Sequence, residues 1–147
     1  MHRVRSTAVA TAIAIALLGG AALIPIGASA TTTPHLTVTP VSGLKNGSIV
    51  KLSGTGFKPG DTVFIVQCIW KAKGQAGCKV PLPLPLSKTI TSTGKLTLTK
   101  FKVSTGKIGN GTCGTKAVNL KNCEVSVGNA TGGDSAVARI QFVMPKR

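Results

Sequence analysis

The sequence predicts an all-β protein, a seven-stranded antiparallel sandwich of immunoglobulin-like type. Three observations carry that expectation. Short runs rich in Val, Ile, Thr and Phe alternate apolar and polar residues, the period of a half-buried strand. Clusters of Gly, Pro, Asn and Ser separate the runs. Beyond residue 30 no stretch shows the periodicity of an amphipathic helix. A small Greek-key barrel is the alternative way to close the same strands.

The first run, LTVTP (Leu36–Pro40), alternates apolar and polar residues. SIVKLSG (Ser48–Gly54) follows the turn SGLKNG. FKPGD makes a Pro-Gly turn and leads into the longest run, TVFIVQCIW (Thr62–Trp70). KTITS (Lys88–Ser92) and KLTLTKFKV (Lys95–Val103) flank Thr93-Gly94, a hairpin signal. CEVSVGN (Cys123–Asn129) and AVARIQFVM (Ala136–Met144) complete the seven.

The domain these runs form is expected to span residues 31–147. The first thirty residues read as an export signal instead. His2, Arg3 and Arg5 give a basic start, an apolar run extends from Ala8 to Ile26, and Ala28-Ser29-Ala30 is an A-x-A cleavage site. A retained anchor is the rival reading, disfavoured by Gly19, Gly20 and Pro25 within the run. The expectation is therefore a secreted protein with no stable membrane insertion after cleavage. The length fits one domain, and a monomer is the expected state.

All four cysteines, Cys68, Cys78, Cys113 and Cys123, follow the signal. An even number in an exported chain reads as two disulfides. Three pairings are open, and sequence alone does not choose among them; the close spacing within each neighbouring pair favours two small loops. A zinc site is disfavoured: there is no C-x-x-C, and His35 is the one histidine past the signal. No metal site is expected.

Catalysis is unsupported as well. Asp61, Glu124 and Asp134 are the only acids, and no two are close enough in sequence to suggest an acid–base pair. There is no G-x-S-x-G, and cysteines held in disulfides supply no thiolate. No catalytic residue is assigned, and the chain is expected not to be an enzyme. Its net charge of +15 at pH 7 attracts anions. Electrostatic association with DNA or anionic cell-envelope polymers follows as an expectation. The lysines are spread rather than clustered, so this attraction would be diffuse.

Strand Thr62–Trp70 is the most informative element. Side chains alternate between faces, so Phe64, Val66, Cys68 and Trp70 share one side and Val63, Ile65, Gln67 and Ile69 the other. Both sides are largely apolar. One meets the core; the second is either covered by packing or floors a hydrophobic cleft. Trp70, the only tryptophan, sits on that second side beside Cys68.

The ordered segments LTVTPVSGL, IVKLSG, PGDTV and QCIW, the two close cysteine pairs, and CEVSVGNATGGDSAVARIQF resemble the neocarzinostatin family of enediyne chromoprotein apoproteins. The likeness covers about residues 36–143. It implies a seven-stranded sandwich with an accessory two-stranded ribbon, and the disulfides Cys68–Cys78 and Cys113–Cys123. It also implies a cleft holding a non-covalent enediyne-like chromophore, carried by a secreted, antibacterial, non-catalytic protein whose ligand damages DNA. Residue by residue, Gln67, Cys68, Trp70 and Cys78 match the cleft floor. Phe64 joins them, and Val66 stands where the family often has glycine. Ser126 and Gly128 fall where the family places small residues against the ligand. Leu84, within PLPLPL (Pro81–Leu86), takes the place of an aromatic wall. The partner implied is a small apolar ligand. The alternative function is a secreted basic envelope- or nucleic-acid-associating protein with a degenerate cleft.

Overall fold

The computed structural model describes residues 32–80 and 85–144. The expected export signal and Leu84 lie outside the described residues. Ten strands are found among those described: β1 (His35–Thr39), β2 (Ile49–Thr55), β3 (Thr62–Ile69), β4 (Cys78–Lys79), β5 (Leu86–Thr89), β6 (Leu96–Lys102), β7 (Gly106–Ile108), β8 (Gly111–Cys113), β9 (Cys123–Gly128) and β10 (Ser135–Ile140). Each of the seven expected runs overlaps one strand, β1, β2, β3, β5, β6, β9 or β10, although KTITS meets β5 only at Lys88 and Thr89, and the expected count of seven is exceeded among the described residues. The other three strands have two or three residues each, too short for alternation to mark.

The strands form two facing layers. One sheet has the order β1-β2-β6. The other has the order β10-β9-β3, and the free edge of β3 is shared: β5 pairs its start and β4 its end. β7 and β8 make a separate two-stranded ribbon. Every one of these pairings is antiparallel. Alternation sends Val50 and Leu52 from one sheet and Val63, Ile65, Val125 and Val127 from the other into a shared core, all fully buried. Each such side chain contributes about 1.5–3 kcal/mol relative to an exposed one.

The run KLTLTKFKV carries an irregularity that the structure resolves. Leu96 is buried and Leu98 partly so, but the next inward residues are Phe101 and Val103, one position out of phase. Register along β2 shows the cause: Leu52 pairs Leu98 while Val50 pairs Phe101. One extra residue in β6, at Thr99-Lys100, makes a β-bulge that resets the phase. Both halves of the strand thereby keep their apolar side inward. Within β2, Gly54 leaves room for a neighbour: a Cβ there would lie 2.6 Å from the Phe57 ring and 3.3 Å from Leu96.

The hairpin expected at Thr93-Gly94 is a turn without a hairpin. The Thr91 and Gly94 amides donate to the Lys95 and Thr91 carbonyls, at 3.1 and 3.0 Å. The flanking strands then part, β5 joining β3 and β6 joining β2. The turn carries the chain from one sheet to the other. Turn chemistry is local, whereas pairing is decided by which sheet edge each strand completes.

Candidate functional site

The outward side of the β10-β9-β3 sheet is built in three ladders. Pairing aligns Phe64 with Gly128 and Ser135, Val66 with Ser126 and Val137, and Cys68 with Glu124 and Arg139. Small residues on β9 leave a depression between its neighbours, because glycine and serine fill less space than Phe64 and Val66 beside them. A cleft of about 730 Å³ lies over this floor. Phe64, Val66, Cys68, Ser126, Gly128 and Val137 line it from below. Ala72, Gly74, Gln75 and Cys78 close one end, Val80 and Pro85 flank it, and Asn129, Ala130 and Gly132 close the other.

The end formed by residues 69–78 is fixed by covalent and backbone contacts. Cys68 and Cys78 are cross-strand partners joined by a disulfide, with a Cα–Cα distance of 3.9 Å. The ribbon supports the loop: Asn110 N–H donates to the Ala76 carbonyl at 2.8 Å. Gly109 makes that approach possible. Its φ is 52°, and a Cβ there would strike the Ala76 carbonyl and lie 2.6 Å from the Cys78 nitrogen. The second disulfide, Cys113–Cys123, ties the ribbon to the start of β9.

The opposite end is fixed by polar contacts. The Asn129 side-chain oxygen accepts from Thr131 Oγ1 and from the Gly133 amide, each at 3.1 Å. Asn129 Nδ2 donates to Asp61 Oδ2 at 3.0 Å, and Lys58 N–H donates to Asp134 Oδ2 at 3.1 Å. Asp61 and Asp134 thus clip the turn before β3 to the turn before β10. Two of the three acids are structural.

The third acid is in the cleft. Glu124 is 5% exposed and lines the cavity. Its Oε2 accepts one long hydrogen bond, 3.4 Å, from the Lys71 amide. Lys71 has φ 58°, the left-handed region, which aims that amide inward. Burial pushes the Glu124 carboxyl above its ordinary value of 4.5, and the Lys71 bond works in the opposite direction.

Of the residues the sequence assigns to the site, the structure brings Phe64, Val66, Cys68, Cys78, Ser126 and Gly128 together around the cavity. Leu84 lies outside the described residues. Gln67 and Trp70 are not in the lining. Gln67 points to the other side of β3, as strand alternation requires, and is 4% exposed. Its Oε1 accepts from the Ser104 amide at 2.8 Å, and its Nε2 donates to the Ser104 carbonyl at 2.7 Å. It pins the chain where β6 passes into the ribbon, against a separate hollow of about 490 Å³ that also holds Lys79 and Lys102.

Trp70 follows the last residue of β3 and is half-buried beyond the cavity. Its backbone amide donates to Asn122, and Arg139 stacks on its ring, the guanidinium carbon 4.6 Å from the centroid. Such a pair contributes about 0.5–1 kcal/mol at an exposed site. Glu124, Val137, Val80 and Asn129 are lining residues that sequence reasoning missed. Alternation along CEVSVG places Glu124 on the side of Ser126 and Gly128, so that signal was present. No comparable local signal marks Val137 or Asn129.

Comparison with known proteins agrees with this architecture. The model of the neocarzinostatin family matches residues 36–142. Macromomycin of Streptomyces macromomyceticus is 32% identical over 111 residues, covering 71% of this chain and 74% of the relative. The solved structure of macromomycin superposes with a TM-score of 0.57 at 31% identity, over 76% of this chain and all of the other (100%). The solution structure of apokedarcidin gives 0.50 at 26% identity, over 78% of this chain and 100% of its own. The chain belongs to the neocarzinostatin family, a family of non-catalytic proteins, and is not an enzyme.

Proposed function

We propose that this protein is a secreted carrier that holds a small apolar, chromophore-like ligand over the floor of β3, β9 and β10. The cleft carries this reading. Its volume of about 730 Å³ falls within the range of small-molecule sites. Its lining is mainly aliphatic and small side chains around Phe64, and a disulfide-closed loop stiffens one end. Preorganisation of that kind reduces the entropy lost on binding. The family implies an enediyne as the ligand, and DNA damage and antibacterial action through it. Among the described residues Phe64 is the one aromatic ring in the lining, so affinity rests more on apolar burial than on ring stacking.

Mass spectrometry of the protein taken from its native culture medium tests the reading. The expected result is a chain starting at Thr31 with both disulfides formed and a non-covalent small molecule released on denaturation. A protein that is ligand-free and also binds no member of a panel of polycyclic aromatics refutes it.

A second role is supported by the charge distribution. Lys51, Lys100 and Lys102 are exposed on the three-stranded sheet, while all three acids lie on or beside the other. Diffuse association with DNA or anionic envelope polymers follows, and it should weaken steeply with salt. Retention that ignores salt contradicts it.

A further inference from the structure

Glu124 has no structural task like those of Asp61 and Asp134. It is buried on the cleft side of β9, and its only side-chain hydrogen bond among the described residues is the 3.4 Å contact from Lys71. A carboxylate offers about four acceptor sites. No fully buried side-chain oxygen lacks a partner among the described residues, so the second Glu124 oxygen opens into the cleft, where a ligand that displaces its water must supply a partner in return.

We propose that Glu124 is the counter-ion for a protonated amine, so that the cleft selects ligands that join an apolar body to a cationic head group. This rests on the reading of the cleft as a small-ligand site.

The neighbours of Glu124 leave that role open. On β10 its cross-strand partner is Arg139, whose guanidinium is turned away to the Trp70 ring and whose Nε donates to the Lys121 carbonyl at 2.8 Å. On β3 its partner is Cys68, which is in a disulfide and does not titrate. From the loop after β3, Lys71 contributes its backbone amide, and Lys73 lies two residues further along. Lys121 precedes β9. None of these cations is a cause of the Glu124 shift, which is set by burial and the Lys71 amide.

Three ligand chemistries can be compared at this position. An anion meets a buried negative charge in an apolar hollow. A neutral polycycle covers the carboxylate further and leaves it unpaired. An ammonium supplies charge-assisted hydrogen bonds, about twice as strong as neutral ones. A metal ion is a poor fit: calcium or magnesium takes six or more oxygen ligands, zinc takes three or four His, Cys or carboxylate groups, and the described lining offers one carboxylate and two cysteines joined in a disulfide. The net charge of +15 opposes a cation from afar, but salt screens that field over about 10 Å and screens a buried contact far less.

Two matched probes test the proposal: 9-(aminomethyl)anthracene and 9-anthracenemethanol, titrated calorimetrically into the folded wild type and Glu124→Gln. Glutamine keeps the shape and an acceptor for Lys71. At neutral pH the amine should bind wild type about tenfold or more tightly than the alcohol. Glu124→Gln should erase that preference by weakening the amine, while the alcohol binds at least as tightly as to wild type because no charge is left to be covered. In wild type the preference should shrink as pH falls through the raised Glu124 value, because protonation removes the counter-ion. That arm needs no variant. Equal binding of the two probes by wild type, a preference that survives in Glu124→Gln, or a preference indifferent to acid overturns the cation assignment and leaves the cleft reading standing. Failure of wild type to bind either probe overturns both.

Discussion

Glu124 exposes a tension between stability and function at a single residue. Its folded pKa lies above the ordinary value of 4.5 because burial disfavours the charge. The stabilisation from its protonated form is therefore complete below that ordinary value and is lost as pH rises through the folded one. At neutral pH the empty protein carries an ionised carboxylate in an apolar wall. Glu124→Gln is expected to raise the melting temperature at neutral pH, with the gain vanishing below about pH 4.5. Thermal unfolding of both proteins across pH measures this, and a variant less stable at neutral pH contradicts it. Gln67 shows the opposite case, a site-adjacent residue with a structural task. Gln67→Ala strands the Ser104 amide and carbonyl and should cost about 1–3 kcal/mol in chemical denaturation. At this scale, strand alternation made three of the lining residues legible, Phe64, Val66 and Cys68, which recur at period two, while Cys78, Ser126 and Gly128 were legible only through the family resemblance. It did not place Trp70. Beyond Ile69 the chain leaves the ladder, and the Arg139 stack is a contact between segments distant in sequence.

The elements that define the cleft are the loop 69–78, the ribbon and the β9–β10 turn. The Cys68–Cys78 disulfide restricts a short loop in the unfolded chain and joins cross-strand partners in the folded one. Replacing both cysteines by serine should cost about 2–3 kcal/mol of stability. Ligand affinity should fall as well, since Ala72, Gly74 and Gln75 would no longer be held at the end of the cavity. Denaturant titration and ligand titration of the double variant separate the two effects. Unchanged stability contradicts the assigned role of the bridge. The seven longer strands were readable from alternation and turn residues. The bulge in β6 was visible as the offset from Leu98 to Phe101, but only the register against β2 identifies it. The crossing at Thr91–Lys95 was not readable: the same turn residues serve a hairpin and a change of sheet. Alternation did not mark β4, β7 and β8, and a ribbon was expected only from the family resemblance. Their residues are placed by disulfides and by the contact of Gly109 with the 75–78 segment, not by periodicity.

Across the whole molecule the two sheets have different outer sides. The β1-β2-β6 sheet presents threonines and lysines to solvent. The β10-β9-β3 sheet carries a hollow instead, so apart from Glu124 and Arg139 its outward residues are apolar or small where a plain sandwich would have polar ones. That asymmetry accounts for the two-sided apolar character of β3: Val63 and Ile65 serve the core, and Phe64 and Val66 serve the cleft. The central claim is that the second side exists to hold a small ligand. An NMR titration of the folded protein with 9-anthracenemethanol tests it most directly. Saturable shifts should concentrate at the backbone amides of Phe64, Val66, Ser126 and Gly128 and of residues 72–75, and spare β1, β2 and β6. The absence of shifts, or shifts confined to the three-stranded sheet, would contradict the account.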